Sequence, residues 1–469
     1  MTRPCPVWIW LTLALVAVLL AWLRPIDHDE SQYVAAAMLS AAGGLPYRDY
    51  AYLQTPLQPL LFAPVAAIAG AWTWPALRVV NALLGIVAIA CIHRAARVAG
   101  AAPTPALAAA LLFAGTDILL FSIGTARNDA LPVALLAAAL VGIVRLERGD
   151  TGRRLVVGVG FALAAAAAAK VSYALPAIAY GAYLLVRRPR VAAWLSLGAL
   201  PMVALVGALW ATAPGGFIFG TLTFPARAPA EYYAARPWKL SLAAKGIDTL
   251  KFLALGAALP AIWIVARQWR TPGRRVMQAL ALAGLVAALM PEPTWRQYLL
   301  PALPPLFVLL AMVWTHEPPG QRTRGLLVVF AIAGLVPSIL ALTRTGTSMG
   351  YAASQGALVK QAMDTAGVRG PVATLSPQIL AATGRLPDPV FATGPFYFRS
   401  RALLDAAAER RLHLMSGDRP RLVAPAVLTG GEGAWSSGDD ALDARLAKAA
   451  RAAGYREVPA GRWRLFVRP

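Results

Sequence analysis

The sequence predicts a polytopic α-helical membrane protein, and three observations carry that expectation. Of its 469 residues, 58% are hydrophobic and only 14% are charged, against about 25% charged in a typical soluble domain. Apolar runs long enough to cross a bilayer follow one another along most of the chain, beginning with residues 7–23. The basic excess, net +22, sits largely in short loops between those runs, as the positive-inside rule expects. That location, with no soluble basic domain, excludes nucleic acid as the partner of the charge.

Apolar segments run over approximately 7–23, 57–71, 76–98, 105–121, 130–145, 154–169, 171–187, 193–213, 246–266, 275–290, 297–315 and 323–343. Arg3 before the first segment looks like the start of a signal sequence, but no small-residue cleavage site follows Leu23; an uncleaved first helix is expected. Arg145/Arg148/Arg153/Arg154, Arg187/Arg188/Arg190, Arg267/Arg270/Arg274/Arg275 and Arg322/Arg324 belong on the cytoplasmic side. The loops holding Asp29, Arg127–Asp129, Glu231 and Arg296 then fall outside, with the C-terminal residues. Segments 57–71 and 76–98 cannot both cross if His93, Arg94 and Arg97 are cytoplasmic. The first is short and carries Pro56, Pro59 and Pro64, which suits a juxtamembrane or re-entrant element. About eleven crossings are therefore expected, with thirteen as the alternative, in a cell-membrane protein whose N-terminus lies inside and C-terminus outside.

Two cysteines, Cys5 and Cys91, lie at expected cytoplasmic boundaries, which suggests neither a disulfide framework nor a cysteine metal site. Residues 1–345 read as the membrane domain, with its first outer loop at 24–56. Residues 346–469 change to a polar, Pro- and Arg-rich composition. The β-like stretches 371–375, 422–428 and 464–468 alternate there with alanine-rich helical pieces at 402–412 and 441–453, giving a small extracytoplasmic α/β domain.

The chemistry-bearing residues crowd the outer loops. The first loop carries Asp27-His28-Asp29-Glu30 just after the first apolar run, where carboxylates lie naturally at a membrane surface. Residues 29–42 are expected to form a short helix ended by Gly43-Gly44, so the acids are either plain helix caps or a site. Asp129, in Thr125-Ala-Arg-Asn-Asp129, stands on the same side. Two converging carboxylates suit proton abstraction from a hydroxyl and electrostatic support of a sugar carbon turning positive. Lys170 and Arg296, each beside an apolar run, supply cations suited to a phosphate leaving group, or else are snorkelling anchors beside Tyr173, Trp295 and Tyr298. The segment from Pro214 to Lys245 is either a flap bringing Arg227, Glu231 and Tyr232 to a substrate or a plain interfacial loop.

In order and sidedness these motifs resemble the GT-C glycosyltransferases, the protein mannosyltransferase and aminoarabinose transferase branch above all. The resemblance covers roughly residues 5–345 and rests on Asp29-Glu30, Tyr47-Arg48-Asp49, Arg127-Asn128-Asp129, Lys170-Val-Ser-Tyr173 and the run Arg296 to Pro305. It implies an inverting transfer of a sugar from a polyprenyl-phosphate donor to an extracytoplasmic glycolipid, cell-wall glycan or protein. By motif match Asp29 would be the base with Glu30 beside it, and Asp129 the second acid. Lys170 and Arg296 would meet the donor phosphate, with Arg127, Tyr173, Tyr298 and Glu231 as further substrate contacts. Many relatives carry Lys or His before Pro-Pro-Leu, where this chain has Gln54-Thr55-Pro56-Leu57; Arg48 would have to substitute. No cofactor is expected to be required, although His28, Asp29, Glu30 and Asp129 have the donor atoms for a divalent cation. Two other readings are a lipid or glycan transporter and a non-catalytic membrane scaffold. A transporter should show inverted repeats with charges near the bilayer midplane, and the sequence shows neither.

Overall fold

A computed structural model of the chain describes residues 6–270, 273–344, 348–400, 403–431 and 441–469. Arg3 and Cys5 lie outside the described residues, and Cys91 is a half-buried free thiol.

Helices dominate as far as residue 365. In chain order they are α1 (Val7–Leu23), α2 (Glu30–Ala41), α3 (Leu57–Ala69), α4 (Thr73–Val98), α5 (Pro103–Ala114), α6 (Asp117–Ile123), α7 (Ala130–Glu147), α8 (Arg153–Ala169), α9 (Ala174–Arg187) and α10 (Pro189–Thr212). There follow α11 (Pro214–Ile218), α12 (Phe224–Tyr232), α13 (Leu242–Ala254), α14 (Ala258–Arg267), α15 (Arg275–Leu289), α16 (Leu303–His316), α17 (Gln321–Leu342) and α18 (Met349–Thr365). Among the described residues five helices are long and apolar enough to cross a membrane, or seven if two bent pairs each count as one. Eleven crossings would need the shorter helices α1, α8, α9 and α15 as well. The short α3 runs into α4 through one 3-10 turn at Gly70–Trp72 and packs on α2.

The two bent pairs correct the expectation of single segments at 105–121 and 246–266. The α5–α6 pair bends by 65° and the α13–α14 pair by 94°. At the first break the Thr116 hydroxyl caps α6 by accepting from Leu119 N–H. The breaks meet: Asp117 N–H donates to the Leu255 carbonyl at 2.9 Å. Gly256, at φ 133°, lies so close to Thr116 that a Cβ would collide with it. Each break thus answers backbone groups that the other frees, the condition for irregular backbone among apolar helices.

One buried core holds the α4, α7 and α16 faces together, with Ala, Leu and Ile predominating. At one end of this bundle the arginines cross between helices: Arg188 donates to the Leu146 carbonyl at 3.0 Å and Arg148 to the Val98 carbonyl. The other end carries α2, the loops holding Asp29 and Asp129, and the C-terminal unit.

That unit has a four-stranded sheet, β1 (Val372–Thr374), β2 (Ala426–Thr429), β3 (Arg456–Ala460) and β4 (Trp463–Val467), in the order β1-β2-β4-β3. β1 and β2 are parallel; β4 runs antiparallel to β2 and β3. Three strands fall at the expected stretches. β3 was not anticipated, because Arg456-Glu-Val-Pro-Ala460 is a largely exposed edge carrying a proline. Helices α19 (Pro395–Phe398), α20 (Ala406–Arg411) and α21 (Leu442–Ala452) accompany the sheet. A single apolar cluster joins Ile26, Val34 and Trp74 to Met349, Ile379 and Leu465, so the C-terminal unit packs directly on the first loop and α2.

Candidate active site

The site is assembled on one face of α4. Trp74, Arg78 and Asn81 recur at helical spacing and are all buried. Arg78 donates to the carbonyls of Ala21 at 2.9 Å, Arg24 at 2.8 Å and Pro25 at 3.1 Å. These are groups that the end of α1 leaves open. Asn81 donates to the Thr125 and Arg127 carbonyls, both at 2.7 Å, and Gln58 to the Arg127 carbonyl at 3.1 Å. Loops 24–29 and 124–129 are thereby fixed side by side.

Glu30, expected to stand beside Asp29 in the site, is the tie between them. Fully buried, it accepts from Trp74 Nε1 at 3.1 Å, Arg78 Nε at 2.7 Å, Ala126 N–H at 2.7 Å and Asp27 N–H at 3.0 Å, as well as from Arg78 Nη2. With five donors on two oxygens it is occupied as an acceptor. Burial alone would raise its pKa, but Arg78 and the backbone donors bring it below the ordinary value.

Asp29 and Asp129 precede α2 and α7, yet neither side chain caps its helix. Both turn instead to Arg127. This guanidinium lies 3.2 Å from Asp27 and 3.3 Å from Asp129 and pairs directly with Asp29. Lys170 pairs with the other oxygen of Asp129, and His28 Nε2 is 3.0 Å from Asp29. Asp129, Arg127 and Lys170 are buried; Asp29 keeps a partly open side chain, 19% exposed. Burial would push the Asp29 carboxyl up, but Arg127 and then His28 hold it well below the usual carboxylate range. Burial would lower the His28 pKa, but Asp29 and Asp27 raise it above its ordinary value. The same acids keep Arg127 charged despite its burial.

Arg296 joins through an aromatic ring. It pairs with Asp117 at 2.8 Å and lies 3.8 Å from the Phe121 ring centre; Arg127 and Arg24 each approach that ring to 5.1 Å. Lys170 Nζ lies 5.4 Å from the Tyr298 ring centre, and Tyr173 is buried with a hydroxyl lacking a partner. The structure thus brings together Asp29, Arg127, Asp129, Lys170 and Tyr298, with Arg296 and Tyr173 at the border. Arg48 is not among them: it is exposed, pairs with its neighbour Asp49 at 2.7 Å, and does not fill the place of the missing loop cation. Gln54 reaches the loop instead, accepting from Asn128 at 3.2 Å. Glu231 stands half-buried on α12, outside the cluster around Arg127.

Arg78, Asn81 and Asp117 belong to the assembly and were not singled out from the sequence, whereas Asp27 was named there only as part of the acidic run. Their signal was present: Arg78, Asn81 and Asp117 interrupt apolar runs, where polar side chains are costly unless paired. Asp27, His28 and Asp29 can each offer one ligand atom within 4.8 Å of one another. A cation there would have to displace Arg127, which already answers both acids, so the residues do not present a ready metal site.

Residues 53–216 match the model of the dolichyl-phosphate-mannose-protein mannosyltransferase family, a span holding Arg127, Asp129 and Lys170. No curated protein matches. Among solved structures, ArnT from Cupriavidus metallidurans bound to undecaprenyl phosphate is similar over 98% of this chain and 97% of its own, with 14% identity and a TM-score of 0.65. The Archaeoglobus fulgidus oligosaccharyltransferase in the apo form is similar over 93% of this chain and 72% of its own, with 12% identity and a TM-score of 0.51. The mycobacterial arabinofuranosyltransferase AftD covers 82% of this chain and 33% of its own, at 19% identity and a TM-score of 0.51. The chain shares its fold with these membrane glycosyltransferases.

Proposed function

We propose that the protein transfers a sugar, with inversion, from a polyprenyl-phosphate donor to an acceptor on the outer face of the cell membrane. The observation that carries this reading is the convergence of Asp29 and Asp129 on Arg127, with Lys170 and Arg296 beside them. Asp29 is the member with an open side chain and an ionised carboxylate. The acceptor oxygen attacks the anomeric carbon, the bond from that carbon to the phosphate oxygen breaks, and the electron pair leaves as polyprenyl phosphate. The acceptor proton passes to Asp29. Lys170 and Arg296 meet the negative charge that grows on the phosphate, and Asp129 fixes Lys170. A donor phosphate also competes for Arg127, which frees Asp29 to accept a proton. The similar structure with undecaprenyl phosphate bound supports a lipid donor.

The test is transfer of radiolabelled sugar from polyprenyl-phosphate donors by the purified protein and by Asp29→Asn. Transfer, or slow donor hydrolysis, should drop by about 10²–10⁴ in the variant, the usual contribution of a general base. Wild-type rates in a folded Asp29→Asn protein would sink the mechanism.

A further inference from the structure

The C-terminal unit reaches the candidate site through one short segment. Gly394, at φ 57°, lies against Ser31 of α2, where any Cβ would collide with the serine hydroxyl. That close approach delivers α19. Phe396 stacks on His28, with ring centres 5.9 Å apart and 26° between the planes. Arg399 follows at the end of α19, its guanidinium 3.8 Å from the Tyr232 ring centre and 5.2 Å from that of Phe396. Tyr232, on α12, donates its hydroxyl to the Phe396 carbonyl. Asp29, His28, Phe396, Arg399 and Tyr232 therefore form one continuous stack, from the carboxylate proposed as base out to the candidate flap.

Arg399 differs from the three arginines that organise the site. Arg78, Arg127 and Arg296 are each answered by a carboxylate. Among the described residues no carboxylate pairs with Arg399, and its Nε is buried without a partner. Stacking on two rings stabilises the cation and holds the guanidinium plane; one edge N–H reaches the Tyr232 hydroxyl, while Nε–H stays unpartnered. A planar fork held in this way suits a two-point contact with an anionic oxygen group. Through Phe396 it adjoins His28, which pairs with Asp29, so a hydroxyl that reaches Asp29 from the C-terminal unit comes past it.

Resting on the transferase reading, we propose that Arg399 binds an anionic oxygen group, phosphate or carboxylate, carried by the acceptor near the hydroxyl that Asp29 deprotonates. The C-terminal unit then supplies acceptor recognition, while the donor phosphate remains with Lys170 and Arg296.

The experiment uses the full-length protein in a neutral detergent, first saturated with undecaprenyl phosphate so that the donor cations are occupied. Phenyl phosphate and benzoate are then titrated separately by calorimetry. Saturable binding of at least one is expected, and whichever binds names the group. Arg399→Ala should weaken it at least tenfold and Arg399→Lys by less, with lipid affinity unchanged within twofold as the control for folding. Arg399→Gln replaces the alanine variant if that protein loses the lipid. Equal affinity in wild type and variants, or no saturable binding in wild type, would overturn the proposal. Failure of wild type to bind undecaprenyl phosphate would count against the donor reading alone; the anion titrations, repeated without lipid, still decide Arg399.

Discussion

Asp29 and Arg127 stand 98 residues apart in the chain and pair directly where two loops meet. The same guanidinium reaches Asp27 and Asp129, so one cation organises three acids in a largely buried space.

Replacing Arg127 by methionine leaves those acids facing one another with Lys170 and His28 as their remaining cationic partners. Removing one member of a buried ion pair costs about 3–5 kcal/mol, and a loss of that order is expected in thermal unfolding of the detergent-solubilised protein. Arg127→Lys keeps the charge but not the two-nitrogen reach, so it should lose less. A methionine variant within about 1 kcal/mol of wild type would contradict the organising role.

The Glu30–Arg78 pair is both fully buried and fully bonded. Glu30→Ala and Arg78→Ala should each destabilise by about 3–5 kcal/mol, and the double variant by much less than their sum, because neither charge is then stranded. A double-mutant cycle of unfolding free energies checks this. Additive losses would show that the two side chains do not act as a unit.

His28 makes stability depend on pH near neutrality. Its pKa is raised in the folded protein above the ordinary 6.5, so its contribution is complete below that value and is lost as pH rises through the folded pKa. Asp29 and Glu30 act in the opposite sense. Their pKa values are lowered, so their contributions are present above about pH 4 and fade only on stronger acidification. The melting temperature of wild type should therefore exceed that of His28→Gln most at pH 5.5–6, with the gap closing toward pH 8.5. A gap independent of pH would rule out the His28–Asp29 charge pair as its source.

Arg127 lies against both Asp27 and Asp29, the acids a divalent cation would also need. Donor hydrolysis or transfer should therefore persist, within about twofold, after exhaustive EDTA treatment and gel filtration. A tenfold loss restored by added Mg²⁺ or Mn²⁺ would show that a metal displaces Arg127 in the working enzyme.

The sequence by itself determined the membrane-protein class, most helix positions and the grouping of Asp29, Arg127, Asp129 and Lys170. These follow from hydrophobic runs, loop charge and local motifs, which are properties of neighbouring residues. It also marked the positions of three strands. The tertiary structure alone decided which acids stay partly open and which are buried. Asp29 and Glu30 are adjacent and chemically alike, yet one opens toward Arg127 and the other is buried beneath five donors, because α4 brings Trp74 and Arg78 to only one of them. Likewise Asp117 looks like an interruption in an apolar run until the bend at Thr116 turns it to Arg296, which lies 179 residues away. Arg399 reads as one arginine in a basic tail until Gly394 lets its segment close on Ser31. Burial and pairing between distant segments depend on how helices bend and pack, and a linear pattern of residue types does not carry that information.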